Sequence, residues 1–467
     1  MTKNPTHMRF WSGLKSIGGT VISLESGCHR LVFDFGLSYS PGEAVLDGQV
    51  RTRPSSLVAD YLRLNMIPPL DGIYSRAALG TFSALPAAEE SPWQTAVLIS
   101  HLHLDHMGAM GLVHPEVPVY LTQDSWRLYH ALSEIGEGVP QARAYTPCEY
   151  DRPFKHGPFV ITPLAVDHDI PGACSFHIET PGGSILYTGD FRLHGGRAEV
   201  ARTWLEKAKT LGVDILISEG TTLRAQEEGE TAPLLGDSTL PETLATEAHL
   251  PEKMHTIINS TPGLAVFNLY HRNLTRLSTM LDVGKMNNRQ TVLEPETAYM
   301  AKELLHRDDF SVYIGENTQA LLQGGACPAW KSNILAQFPH VTAALIRSNP
   351  EQYFVQNSYV NCLELLDLME IGGCYIHSNG MPLGPFDPAH PRLKKLLERV
   401  GLSYHYAGTS GHALPQHLQY ACDTIAPKVL VPLHSFNPGR LQANHGRQLL
   451  PELDIYYRIE NGDLLPL

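Results

Sequence analysis

The chain has 467 residues, is 43% hydrophobic and 18% charged, and carries a formal net charge of −13. That balance describes a globular protein rather than a disordered one, and the length suits two cores, or one interrupted by another. The charge disfavours indiscriminate binding of nucleic acid over the whole surface, but a local basic groove remains compatible with it. No run of about 18 apolar residues is present, so no membrane-spanning helix is expected. The first residues lack the basic start, apolar middle and small-residue cleavage site of a secretory leader, which makes the cytoplasm the expected compartment. Cys28, Cys148, Cys174, Cys327, Cys362, Cys374 and Cys422 are scattered without a C-x-x-C pair. This argues against a disulfide framework and against a thiolate metal site; reduced, mostly buried thiols are expected.

In chain order, the first ~220 residues read as strands with short connections and a few helices. Residues 19–24 and 31–35 are short apolar runs bounded by glycine, as in a hairpin. Residues 96–100 form a continuous apolar strand suited to burial on both faces, and 184–189 and 213–218 are two more. From about 222 to 240 the composition turns to Gly, Glu, Thr and Pro, which predicts an exposed crossing loop. Strand and helix then alternate. A strand at 263–267 precedes a helix near 274–281, a strand at 291–293 precedes a helix at 296–305, and strand-like runs follow at 341–346 and 373–376. Such alternation predicts a βαβ-type unit with a mostly parallel sheet. Further strands are expected at 428–433 and 455–459.

The chemistry concentrates at His101, His103, Asp105 and His106 in the run HLHLDH, which follows the buried strand. In an extended segment, His101, His103 and Asp105 share one side. His106 falls at the turn into a small-residue helix. Three imidazoles and one carboxylate are the nitrogen and oxygen ligands zinc prefers. A single ion has no room for all four plus an open water position, whereas two ions can share them. His168 in a polar knot, Asp190 after the strand SILYTG and His434 after KVLVPL stand where sheet proteins commonly build sites, at the ends of strands. A carboxylate such as Asp190 can bridge two cations.

These residues together resemble the metallo-β-lactamase fold family, with Asp34 matching its N-terminal structural aspartate. The resemblance implies an α/β fold, an αββα sandwich. It also implies that His101, His103 and His168 hold one zinc, that Asp105, His106 and His434 hold the other, and that Asp190 bridges: two Zn2+ per chain. The long interval between Asp190 and His434 resembles the β-CASP group of nucleases, in which a βαβ-type domain interrupts the core. On that resemblance the core spans 1–220 and 401–467, and the insertion 221–400. Glu219, ending the strand ILIS, resembles the group's first motif, and Gly408 to Ala413 resemble the Ser-Gly-His-Ala of ribonuclease J. The chain departs from the group in having Ser435, Phe436, Asn437 and Pro438 after the last histidine, and with about 30 residues following them the separate C-terminal domain of typical ribonuclease J proteins is expected to be missing.

Glu219 is expected to fix the tautomer of a liganding imidazole. Ser410, Gly411 and His412 offer a hydroxyl, a close-approach amide and an imidazole to a phosphate, and His377, Ser378 and Asn379 suggest a second backbone cradle. The expected chemistry is two-metal phosphodiester hydrolysis, with bound water near pKa ~7, Asp190 at its centre and His412 as general acid. Single-stranded RNA is the favoured substrate and 5′-phosphate ends the implied products. DNA and self-association stay open, and no membrane partner is expected. Arg272 and Arg276, four apart on a helix, and Arg347 are candidate contacts to the strand, and Tyr270 and His271 candidate stacking groups. Two rival readings remain: a lactonase or thioesterase with the insertion as a lid, and a catalytically silent RNA-binding subunit.

Overall fold

A computed structural model describes residues 4–37, 46, 50–82, 84–225 and 246–467. The expected crossing loop at 222–240 lies almost entirely outside the described residues. Within them the strands form three sheets. The first runs, in spatial order, Asp463–Pro466, Tyr456–Glu460, Thr6–Ser12, Val21–Ser26, His29–Phe33, Gln94–Leu98, Val119–Thr122 and Thr146–Cys148. The second runs Arg447–Gln448, Val429–Pro432, Ile215–Ser218, Gly183–Tyr187, Cys174–Thr180, Phe159–Ala165 and Phe154–His156.

Alternation decides how these sheets meet. Met8 and Phe10 on one strand, with Leu24, Phe33 and Leu98 on its neighbours, point to the same side as Phe159, Phe176, Ile185 and Val431 of the second sheet, and together they form one buried core. The opposite face of the first sheet is covered by helices such as Gln123–Glu134, through Leu128 and Leu132. That of the second is covered by Ala198–Thr210, through Trp204, and Pro415–Ile425, through Leu418. The result is the four-layer αββα sandwich. The C-terminal residues complete both sheets: Tyr457 pairs with Met8, and Val431 pairs with Ile217.

Between Ser218 and Val429 the described chain builds the third sheet, entirely from parallel pairs, in the order His340–Val341, Ser311–Tyr313, Gln290–Leu293, Tyr353–Gln356, Leu264–Leu269, Gly373–Ser378 and Leu402–Tyr406. Helices cover both faces, as parallel strands buried on two sides require. Two local readings change. The run 341–346 is not one strand: only His340–Val341 pairs, and Ala343–Ser348 is helical, burying Ile346 and leaving Ala344 and Leu345 exposed. The sheet also extends past residue 400, since Leu402–Tyr406 pairs with Gly373–Ser378 before the chain returns to the second sheet. Cys148, Cys174, Cys374 and Cys422 are buried free thiols, while Cys28 is exposed. No helix among the described residues is long and apolar enough to cross a membrane.

Candidate metal centre

The site gathers at the carboxyl ends of strands from both sheets of the sandwich. Gln94–Leu98 delivers His101 and His103, Gly183–Tyr187 delivers Asp190, Ile215–Ser218 delivers Glu219, and Val429–Pro432 delivers His434. The run HLHLDH is extended only as far as His103. That residue caps a one-turn helix, Leu104–Met107, which carries Asp105 and His106. Asp105 therefore reaches the site from a helical turn and not, as strand alternation predicted, from the same extended face. Two close approaches hold that turn. A Cβ on Gly36 would lie 1.7 Å from the Asp105 carbonyl oxygen, and one on Gly18 (φ +70°) would lie 2.1 Å from the Asp105 Cβ.

Ligand-type atoms fall into overlapping clusters: His101, His103 and His168; Asp105, His106, Asp190 and His434; and Asp190, Glu219 and His412, each within 4.8 Å. Four imidazoles are anchored through Nδ1, to Ser100 Oγ (His101, 3.0 Å), Asp34 Oδ2 (His106, 2.8 Å), the Gly411 carbonyl (His168, 2.6 Å) and Thr221 Oγ1 (His434, 2.8 Å). Their Nε2 atoms are left to face the cluster: those of His106 and His434 lie 3.0 Å apart, and His434 Nε2 is 3.2 Å from Asp105 Oδ2. Asp34 is the hub behind them, also accepting from the Ser100 N–H at 2.7 Å, the Ser100 hydroxyl at 2.9 Å and the Tyr187 hydroxyl. Asp34 and His434 both hold left-handed backbone, φ 55° and 52°, a strain of about 1–3 kcal/mol each that the surrounding bonds must offset.

The residues fit a cation. His101 Nε2 and both Asp190 oxygens are buried with no hydrogen-bond partner, the condition expected where an ion completes the set. Burial, with His106 nearby, holds the His101 imidazole well below its ordinary pKa, and burial takes His168 down to about 3, so both are neutral, ligand-ready rings. Burial alone would raise Asp190, but the His106, His434 and His412 imidazoles outweigh it and hold the carboxyl well down.

His412 stands apart from the anchored four. Its Nδ1 faces Glu219 Oε2 at 3.2 Å and Asp190 Oδ2 at 3.5 Å. Burial would lower this ring, yet those two carboxylates push it up to about 10. Glu219 therefore partners His412 rather than a liganding imidazole, and its other oxygen accepts the Phe191 N–H at 2.9 Å. The loop between is held by its own turn, with the His412 N–H donating to Ser410 Oγ at 3.0 Å.

The remaining expectations fare differently. The side chains of His377, Ser378 and Asn379 are committed within the fold. His377 Nε2 meets the Pro382 carbonyl, the Ser378 hydroxyl donates to the Ala407 carbonyl, and Asn379 Oδ1 accepts from Arg276. The Ser378 N–H is also engaged, by Asn268 Oδ1. Arg272 and Arg276 do not face solvent. Arg272 is buried against Glu137, and Arg276 is buried against Glu247, Ser378 and Thr409. Only Arg276 stands on the helix, on its inner face, while Arg272 lies in the turn before the N-cap Asn273. Arg347 is exposed and donates to the Asp367 and Met369 carbonyls. Tyr270 stands beside His103, ring centroids 5.6 Å apart, while His271 pairs with Glu137. Thr221, Ser100 and Tyr187 went unnoticed in the sequence because a hydroxyl leaves no spacing signature. Asp169 was hidden by its neighbour His168.

Comparison with known proteins agrees with this architecture. Residues 70–255 match the beta-lactamase superfamily domain. Ribonuclease J of Helicobacter pylori is 24% identical over 97% of this chain, and that of Mycoplasma genitalium 21% identical over 92%. The chain is a metallo-β-lactamase-fold protein similar to ribonuclease J. It spans 59% of the length of the Helicobacter relative and 68% of the Mycoplasma one. A solved Enterococcus faecalis protein of unknown function superposes with a TM-score of 0.76 at 26% identity, covering 99% of this chain and 100% of its own. That likeness covers the inserted sheet as well as the sandwich.

Proposed function

We propose that this chain is a zinc-dependent phosphodiesterase that hydrolyses single-stranded RNA and leaves 5′-phosphate ends. The observation that carries the reading is His412. It is a protonatable imidazole fixed by Glu219 at the edge of a cluster whose seven donors, His101, His103, Asp105, His106, His168, Asp190 and His434, suit two ions. The likeness to ribonuclease J over nearly the whole chain supports RNA as the substrate class.

Two bound zinc ions would supply an activated water at neutral pH and neutralise charge on the phosphate. The chain's own groups do the rest. His101, His103 and His168 would hold one ion and Asp105, His106 and His434 the other, with Asp190 available to both. His412 Nδ1 is turned to Glu219, so Nε2 is the atom that carries a proton to the departing 3′ oxygen, and Ser410 presents a hydroxyl to the phosphate.

The test uses purified protein, added zinc and end-labelled 5′-monophosphorylated RNA. Nucleotide release is expected, abolished by chelator and lowered about 100- to 10,000-fold in His412→Ala, which still binds two ions. Cleavage of a lactone or thioester with no action on RNA or DNA would overturn the nuclease reading.

A further inference from the structure

Each anchored histidine of the centre has an outer partner for Nδ1. His103 alone is turned the other way. His168 Nε2 must face the cluster, because its Nδ1 is bound to the Gly411 carbonyl, and His103 Nδ1 lies 3.1 Å from that inward atom. The inward atom of His103 is therefore Nδ1 and its outward atom Nε2. Asp169 Oδ1, a buried oxygen with no hydrogen-bond partner, lies 3.5 Å from His103 Nε2 and 3.4 Å from His168 Nε2, beside both rings. Its position is built into the fold. A Cβ on Gly411 would lie 2.6 Å from the same oxygen, so only glycine in the Ser-Gly-His loop leaves the carboxylate its place.

We propose that Asp169 is the positioning residue for His103. Its carboxylate accepts the Nε2–H, fixes the tautomer that leaves the Nδ1 lone pair for the ion, and ties that ligand to the His412 loop through Gly411. A carboxylate behind a liganding imidazole raises its basicity and fixes its ring orientation, and losing such a group typically weakens metal affinity about 10- to 100-fold. The inference rests on the two-ion reading above and is tested without RNA.

Zinc affinity of the full-length wild type, Asp169→Ala and Asp169→Asn is measured by competition with a chromophoric chelator, and the visible absorption of the cobalt(II)-loaded proteins is recorded. The expected result is a loss of about 10- to 100-fold in affinity at one of two sites for D169A. D169N should be affected less, because its amide oxygen still accepts the bond, and both variants should keep the wild-type cobalt(II) band pattern. Wild-type affinity in D169A would overturn the role. Loss of one ion with a changed band pattern in both variants would overturn it too, in favour of direct coordination. A wild type that binds no ion would bring down this inference and the two-ion reading together. A wild type that binds two ions, with D169A indistinguishable from it, would bring down this inference alone.

Discussion

At the scale of single residues, the centre is a set of imidazoles whose chemistry is decided by what stands behind them. Ser100, Asp34, the Gly411 carbonyl and Thr221 assign the tautomer of four rings, so that Nε2 faces inward in each. His412 instead faces two carboxylates, Glu219 and Asp190. Glu219 and Asp190 raise it to about 10 against the effect of burial, which keeps it protonated at neutral pH. The sign of the resulting pH dependence follows. A group acting as an acid with a raised pKa is competent below that pKa and lost as pH climbs through it. Removing the Glu219 charge removes the first of the carboxylates that hold it up. In Glu219→Gln, the alkaline limb of the kcat/KM profile is expected to move to lower pH, with zinc content unchanged. A limb that stays in place would show that another group is the acid.

At the scale of elements, the long insertion is fastened to the site by a buried ion pair rather than by apolar packing alone. Arg276, on the helix Leu274–Met286, meets Glu247 Oε1 at 2.5 Å and Oε2 at 2.8 Å, with both side chains almost wholly buried. The same guanidinium reaches the Ser378 hydroxyl and Thr409, and the Thr409 hydroxyl donates to Glu247 at 2.7 Å. The pair thus sets the start of the loop that carries Ser410, Gly411 and His412. Stranding one buried charge is costly, whereas replacing both with apolar groups of similar size is often neutral. Arg276→Ala should lower unfolding stability by about 3–5 kcal/mol in urea titration and reduce kcat through the displaced loop. The double variant R276M/E247L should recover most of the stability. If it recovers the activity as well, the pair does not position the loop. The arginine itself was visible in the sequence. Its direction was not, because the spacing of 272 and 276 shows neither that the helix begins only at Leu274 nor which of its faces is buried.

At the scale of the whole molecule, buried acids and histidines from distant parts of the chain converge on one site, and the folded state alone offers that site assembled. Zinc should therefore stabilise the fold by mass action, about 4 kcal/mol at free metal 1,000 times Kd, and chelation should lower Tm in a metal-concentration-dependent way. A Tm indifferent to chelator would separate the centre from folding. The sequence by itself determined the chemistry of that centre. Six residues of HLHLDH, with isolated acids and histidines at strand ends, carry ligand type and spacing in short range, and alternating apolar runs reveal which strands are buried. Tertiary structure decided what depends on pairing across hundreds of residues: His434 against Asp105, Glu219 behind His412 rather than behind a ligand, the inward turn of Arg272 and Arg276, and Asp169 seated against Gly411. The physical reason is that a side chain's type limits the bonds it can make, while its partner is set by which strand ends the folded sheets bring within about 3 Å of one another.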